Sequence, residues 1–211
     1  GAPDQVRMTA NDSAVALAQR FGRDVLRVFE SCGDTIVLVS RDRAHDILAW
    51  LRDDPAQAFD YLTDVTAVDY RDPELPLEVV YQLRSLTRKV DLRVKIPLDK
   101  QGDLTVDSVV DLWRGADWLE REVYDMFGVT FRGHPDLRRI LMWETYAEGF
   151  PLRKDFPLRG QFSRAEQTRQ ALAANPEAHY SMEELSIAEA FGDLPPDMRE
   201  RLARGERGEL R

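Results

Sequence analysis

The sequence contains one cysteine, Cys32, and three histidines among its 211 residues. One thiol excludes an intramolecular disulfide, and it cannot hold an iron–sulfur cluster, which takes about four thiolates. His134 has no second candidate ligand at a metal-site spacing, so a histidine that stabilises a turn or an interface is favoured over a metal ligand or base. The chain is therefore expected to carry neither a redox cluster nor a catalytic metal of its own.

Long apolar runs and glycine-rich loops are also absent. No stretch approaches the roughly 20 apolar residues that cross a bilayer, and no charged segment followed by an apolar one indicates a secretory signal. The 12 glycines are scattered rather than clustered as in a phosphate-binding loop. The net charge of −9 is not that of a nucleic-acid-binding protein. We expect a cytosol-facing chain, with a cleaved mitochondrial transit peptide left open.

The chain has enough apolar residues for one sizeable core. It is 43% hydrophobic and 32% charged, and a chain of this length buries about 70% of its unfolded surface. Periodicity predicts helices at 13–21 and 41–51, strands at 25–29 and 35–39, and a hairpin formed by 78–86 and 91–97. This order predicts an α+β fold, a compact mixed β-sheet flanked by helices rather than a doubly wound one.

A third helix is predicted over residues 117–127. Its buried face is expected to be formed by an apolar stripe, namely Leu119, Val123, Met126 and Phe127. Asp117, Arg121 and Asp125 recur every four residues on the opposite side, which we expect to face solvent. Glu120 and Glu122 lie on the two flanks of the stripe and diverge by about 160°, which argues against a catalytic pair.

The segment after this helix is rich in arginine and proline. Gly133, His134 and Pro135 form a turn signal, and Pro151 and Pro157 exclude a central strand and favour extended backbone. We divide the chain into a globular domain (1–131), an extended basic arm (132–160) and a helical tail that wraps a partner (161–211). The arginines could meet an acidic partner or pair internally with Glu120 and Glu122.

Three motifs resemble one family in their residues and order. These are EREVYDMFG at 120–128, GHPDLRRIL at 133–141 and PLRKDFPL at 151–158. They are similar to the 30 kDa subunit family of respiratory complex I, which is the C subunit of the bacterial proton-pumping NADH:quinone oxidoreductase. Residues 59–70 and 78–98 are similar as well, so the resemblance covers about 25–158.

The resemblance implies a structural and assembly subunit without a catalytic site. It places the chain in the peripheral arm, beside iron–sulfur subunits, where it braces the forty-nine-kilodalton (D-subunit) homologue, called here the quinone-site subunit. FMN, iron–sulfur clusters and quinone belong to partner subunits. The implied location is the cytoplasmic face of the bacterial inner membrane, or the matrix side in mitochondria, with membrane association only through the complex. The candidate interface residues are Glu120, Arg121, Glu122, Asp125, His134, Pro135, Arg138, Arg139, Pro151, Leu152, Arg153, Lys154, Asp155, Phe156 and Pro157.

Two alternatives stay open at this point. A related membrane-bound hydrogenase, or a formate- or deazaflavin-linked dehydrogenase complex, uses a similar subunit. A stand-alone hydrolase or binding protein would instead place Glu120, Asp125 and His134 in one pocket. Trp113, Trp118 and Trp143 suit interface anchors better than a ligand cage, and Trp50 is expected to pack in the core.

Overall fold

Seven strands and three helices make up the part of the chain that the structure describes. The structure is a computed structural model, and it describes residues 9–158, 160, 162, 169–170 and 173. The strands are β1 (Val25–Ser31), β2 (Asp34–Val39), β3 (Tyr61–Val68), β4 (Leu77–Ser85), β5 (Val90–Leu98), β6 (Thr105–Asp107) and β7 (Thr130–Arg132). The helices are α1 (Ala10–Phe21), α2 (Ala44–Asp53) and α3 (Ala116–Phe127), with 3₁₀ turns at Gly22–Asp24 and Arg41–Arg43.

The helices begin and end where local chemistry predicts. Thr9 caps α1 through a capping box with Asp12, which satisfies amides that the first turn leaves free. The predicted inward positions of α2, Ala44, Ile47, Leu48 and Leu51, are all buried. α3 ends at Gly128, whose φ of 78° is left-handed and favours glycine.

Five strands form one mixed sheet in the order β1-β2-β5-β4-β3. The predicted hairpin is β4 and β5, which pair antiparallel from Leu77↔Leu98 to Ser85↔Val90. β2 joins β5 in parallel, because the chain crosses over through α2, β3 and β4 before returning. The mixed sheet with flanking helices confirms the predicted α+β class.

One face of the sheet carries the core. Val37, Val94, Tyr81 and Val65 are neighbours in register across β2, β5, β4 and β3, and each is at most 2% exposed. Val28, the neighbour of Val37 on β1, is 38% exposed. The core therefore covers four strands and ends before the edge strand β1.

The opposite face is lined by paired charges. We predicted that the face bearing Arg93 and Lys95 contacts solvent or a partner, and both side chains are half-buried. Arg93 pairs with Asp34 at 2.6 Å, and Lys95 pairs with Glu78 at 2.7 Å. Cross-strand pairing of this kind stabilises a sheet face that carries charges.

A second, two-stranded parallel sheet joins β6 to β7 beside α3. It positions the connection 108–115, which leads from β6 into α3. The described residues between Thr9 and Gly160 belong to one compact unit. None of the helices in the described part of the chain is long and apolar enough to cross a membrane.

The predicted tail falls mostly outside the described residues. Of the helix predicted at 163–174, only Arg169, Gln170 and Ala173 are described, and all three have helical backbone. The helices predicted at 181–191 and after Pro196 lie outside the described residues. The wrapping role of the tail stays a prediction.

Candidate functional site

The face of α3 that the sequence predicted to be solvent-exposed is largely buried. Arg121 is 5% exposed and Asp125 is fully buried, while Asp117 is partly exposed. The prediction was wrong because the i, i+4 spacing identifies a polar face without showing what covers it. The segment 138–142 lies on this face and supplies partners for its charges.

Asp125 fastens that segment to α3. One carboxylate oxygen accepts the amides of Ile140, Leu141 and Met142 at 2.8–3.0 Å, and the other pairs with Arg139. Burial by itself raises the pKa of Asp125, but these amides and the Arg139 guanidinium together hold the pKa below its usual value. Asp125 therefore stays ionised and binds four donors from one loop.

Arg139 and Arg121 extend the same attachment. Arg139 also donates to the Gly149 carbonyl at 3.1 Å, and its guanidinium lies over the rings of Tyr146 and Phe150. Arg121 donates to the carbonyls of Arg138 and Arg139. Both arginines bind carbonyls that would otherwise lack partners, so they are structural ties within the chain.

Glu120 lies on the other flank of α3 and fastens a different loop. It is fully buried and accepts the Ser108 hydroxyl and the Val109 amide, each at 2.7 Å. Burial raises its pKa to about 7, against the lowering effect of these two donors, and Asp111 and Asp117 add to the rise. No cation forms an ion pair with Glu120 among the described residues, whereas Glu122 is exposed.

His134 is buried inside its turn. Its Nδ1 accepts the Asp136 amide at 3.0 Å, so Nε2 carries the proton and donates to the Asp117 carbonyl at 3.1 Å. Its side chain is fully buried. This geometry is that of a turn-stabilising histidine, and the neighbouring Pro135 is exposed.

The arm returns to α3 at its C-terminal end. A Cβ at Gly128 would lie 2.5 Å from the Phe150 ring, so glycine is required there both for its backbone conformation and for this contact. The Leu152 amide donates to the Met126 carbonyl at 3.0 Å. The backbone of the arm is thereby tied to the last turn of α3.

Beyond Leu152 the arm turns rather than running straight. The Phe156 amide donates to the Arg153 carbonyl at 3.1 Å, which is the bond of a tight turn. Pro151 and Phe156 are half-buried, whereas Pro157 is exposed. The prediction of extended backbone therefore fails at 153–156.

A second anchor for the arm is Asp69, which sequence reasoning missed. Asp69 is 6% exposed and lies just after β3. Its carboxylate accepts the Lys154 amide at 2.8 Å and pairs with Lys100 at 2.8 Å. Burial raises the pKa of Asp69, but Lys100, this amide and Arg153 hold it below its usual value. The motif TDVTAVDY contains Asp69, but it carries no sign of a partner as distant in sequence as Lys154.

The basic residues of the arm are mostly paired internally, but with aspartates rather than with Glu120 and Glu122. Arg139 binds Asp125, and Arg153 approaches Asp69 at 3.7 Å. Arg138 pairs with Asp136 at 2.8 Å on the surface. A further surface pair is Arg132 with Asp107 at 2.6 Å.

Apolar side chains remain exposed on this side of the chain. Trp118 is 62% exposed, Leu141 61% and Leu152 49%. Trp113 is 8% exposed and belongs to the core, so the prediction that it anchors an interface was wrong. Trp143 packs edge-to-face on Tyr146 at 4.9 Å.

The three residues of the hydrolase alternative do not converge. Glu120, Asp125 and His134 each bind a different backbone segment, and clefts of the described surface are lined by other residues. No group of three or more His, Cys, Asp or Glu within the described part could hold a metal ion. Cys32 is exposed at the β1–β2 turn.

The mixed sheet, α3 and the arm together define a subunit-like domain, and sequence comparison identifies the class. Residues 37–162 match the family described as respiratory-chain NADH dehydrogenase, 30 Kd subunit. The chain belongs to this family.

Named relatives agree with this assignment. The chain is 45% identical over 150 residues to the NADH-quinone oxidoreductase C subunit of Citrifermentans bemidjiense, covering 71% of this chain and 91% of that protein. It is 43% identical over 151 residues to the corresponding subunit of Geobacter sulfurreducens, with the same 71% and 91% coverage.

Solved structures give the same fold. A trypsin-resistant fragment (1–134) of Nqo5 matches with a TM-score of 0.53 and 30% identity, covering 61% of this chain and 100% of the fragment. A chain of an archaeal membrane-bound sulfane sulfur reductase matches with a TM-score of 0.57 at 22% identity, covering 76% of this chain and 89% of that one. The second likeness shows the fold alone.

Proposed function

We propose that this chain is a cofactor-free structural and assembly subunit of a proton-pumping NADH:quinone oxidoreductase. In this role it lies in the peripheral arm and braces the quinone-site subunit, next to the iron–sulfur subunits. It reaches the membrane only through the complex, on the cytoplasmic face in bacteria or the matrix side in mitochondria. FMN, iron–sulfur clusters and quinone are held by the partner subunits.

The observation that carries the proposal is the way the arm is fixed. Asp125, Arg139 and Asp69 bind its backbone from inside, which leaves Leu141 and Leu152 pointing outward. Exposed apolar side chains on a fixed backbone lose little conformational freedom on binding, which favours protein association. The arm is therefore built to present a surface rather than to enclose a substrate.

The polar residues with catalytic potential support a structural role. Glu120, Asp125 and His134 each satisfy backbone donors or acceptors within the chain. A side chain committed in this way is poorly placed to exchange protons with a substrate. The chain contributes rigidity, and the chemistry belongs to its partners.

The test is affinity purification of the tagged chain from gently solubilised membranes of its native host, with mass spectrometry of the co-purifying proteins. We expect the quinone-site, flavin and iron–sulfur subunits of NADH:quinone oxidoreductase. Hydrogenase or formate dehydrogenase subunits would move the chain to a related complex. Recovery of the chain alone would contradict the proposal.

Contact with the quinone-site subunit is tested separately. Cross-linking of the purified complex should join residues near Leu141 or Leu152 to that subunit. Cross-links from both positions only to other subunits would leave membership intact and remove the bracing role.

A further inference from the structure

A cleft with an excess of positive charge lies where the arm meets the sheet. It is bounded by the end of β3, the turn after β5 and the arm, and its volume is about 270 Å³. Four cations and two carboxylates line it: Arg71, Lys100, Arg153 and Lys154 with Asp69 and Asp155. The net charge of the chain is −9, so this local excess is opposite to that of the whole molecule.

Two of these charges are already consumed inside the chain. The Lys100 ammonium pairs with Asp69 and donates to the carbonyls of Tyr70 and Asp72 at 2.7 and 3.0 Å. An ammonium has three protons, so Lys100 has none left for a ligand. The Asp69 carboxylate is likewise occupied by Lys100 and the Lys154 amide.

Arg153 is less well satisfied. Its side chain is 15% exposed, and its Nε lies 3.7 Å from both Asp69 and Asp155. That Nε is buried and donates no hydrogen bond within the described chain. A guanidinium carries five donors in a planar fork, and a carboxylate is the group that satisfies such a fork best.

Arg71 and Lys154 add two outward-facing cations. Both residues are exposed. Neither side chain forms an ion pair or a hydrogen bond with another described residue. Asp155, which is 76% exposed, is the remaining opposing charge. The cleft thus presents three cations that internal carboxylates do not neutralise.

An apolar groove adjoins the cleft and shares Pro73 and Lys100 with it. The groove is also lined by Leu75, Pro76 and Pro97, and Leu75 is 44% exposed. A free anion would make no use of this groove. An anionic membrane would be repelled by the acidic chain around a cleft this small. A polypeptide that carries both acidic and apolar side chains fits both features.

We propose that the cleft formed by Arg71, Arg153 and Lys154 is a docking site for an acidic segment of a partner subunit. One carboxylate of that segment binds the Arg153 fork, Arg71 and Lys154 attract its neighbours, and an apolar side chain lies in the adjoining groove. The inference rests on the proposed function, because it requires that the chain assembles with other subunits.

The test uses the double variant Arg71→Glu with Lys154→Glu in the tagged full chain. Arg153 is left unchanged because it also contacts Asp69, and its loss would disturb the arm itself. The matched control is Arg23→Glu with Lys89→Glu, two exposed basic residues remote in sequence from the cleft. Thermal unfolding of the isolated variants should show that both fold like the parent chain.

We expect recovery of the other oxidoreductase subunits to fall about tenfold for the double variant, as for a loss of roughly 1.4 kcal/mol. The control should retain parental recovery. Raised salt should weaken the parent more than the double variant, because partly exposed charge pairs are screened. Equal recovery of double variant and control would overturn the inference.

A photo-cross-linking residue at position 71 identifies the occupant. We expect a cross-linked peptide from another subunit that contains Asp or Glu, and an acid-to-Lys change in that peptide should restore recovery of the double variant. A lipid adduct, a peptide without acidic residues or no adduct would overturn the inference. Failure of the parent chain to recover any oxidoreductase subunit would instead overturn the proposed function itself.

Discussion

Two buried carboxylates on α3 fasten two different loops with different chemistry. Asp125 holds 140–142 with three amides and Arg139, whereas Glu120 holds 108–109 with one amide and one hydroxyl. Both are fully buried, yet the pKa of Asp125 is lowered and that of Glu120 is raised to about 7. Burial penalises both ions equally in kind, so the number and charge of the donors decides the outcome.

The comparison predicts that Asp125 contributes more to stability than any exposed acid of the arm. Asp125→Ala leaves Arg139 and three amides without their shared acceptor, so we expect a loss of about 3–5 kcal/mol in the free energy of unfolding. Urea denaturation measures it. The control is Asp136→Ala, whose partner Arg138 is exposed, and it should cost less than about 1 kcal/mol. Equal losses would remove Asp125 from its role.

Glu120 should make stability depend on pH in the opposite direction from Asp125. Because its folded pKa of about 7 exceeds its ordinary value of 4.5, the native state retains a proton that the unfolded state releases between these values. Stability therefore falls as pH rises from about 4.5 to above 7, by up to about 3 kcal/mol.

Glu120→Gln isolates this effect, since it keeps an acceptor oxygen and cannot ionise. Urea denaturation at pH 5 and pH 8 should show the variant losing less stability than the parent chain on the rise in pH. The difference between the two curves removes the contributions of His45 and His134, which both proteins share. Parallel curves for the parent chain and the variant would contradict the raised pKa.

Gly128 tests the third attachment of the arm. Gly128→Ala places a Cβ at positive φ and against the Phe150 ring, and we expect a loss of about 2 kcal/mol. Gly115→Ala is the control, because nothing lies within 4 Å of its added Cβ and its φ is −65°. Thermal unfolding compares them, and a similar small change for both would argue that Phe150 is not held against α3.

Trp118 should have the smallest effect on stability and a clear one on assembly. It is 62% exposed and stacks with Arg121, so Trp118→Ala should change the free energy of unfolding by about 0.5 kcal/mol or less. Recovery of partner subunits should nevertheless fall, since exposed tryptophans anchor interfaces. Leu86→Ala, at a side chain 54% exposed on the β4–β5 turn, should change neither quantity.

The elements of the domain were predictable because each has a strong local signal. The alternation of Leu92, Val94 and Ile96 fixed the buried face of β5, and the spacing of Ala44, Ile47, Leu48 and Leu51 fixed that of α2. Gly128 ended α3 as predicted. Residues 60–68 were expected to lead into a strand, and β3 occupies nearly all of them.

The attachments of α3 were not predictable in the same way. Periodicity separates polar from apolar faces, but Asp125 becomes buried only because the distant residues 140–142 supply amides. Asp69 likewise depends on Lys154, which lies 85 residues further along the chain. Backbone donors carry no residue-type signal, so sequence cannot show which carboxylate they will meet.

The uneven cover of the sheet has a consequence for local opening. β1 forms no neighbour on its outer edge within the described chain, and β2 joins β5 through only three paired positions, Ile36↔Arg93 to Leu38↔Lys95. By contrast, β4 is paired along nearly its whole length on both sides. Amide hydrogens of the β1–β2 hairpin should therefore exchange with solvent through sub-global opening, and those of β4 only on complete unfolding.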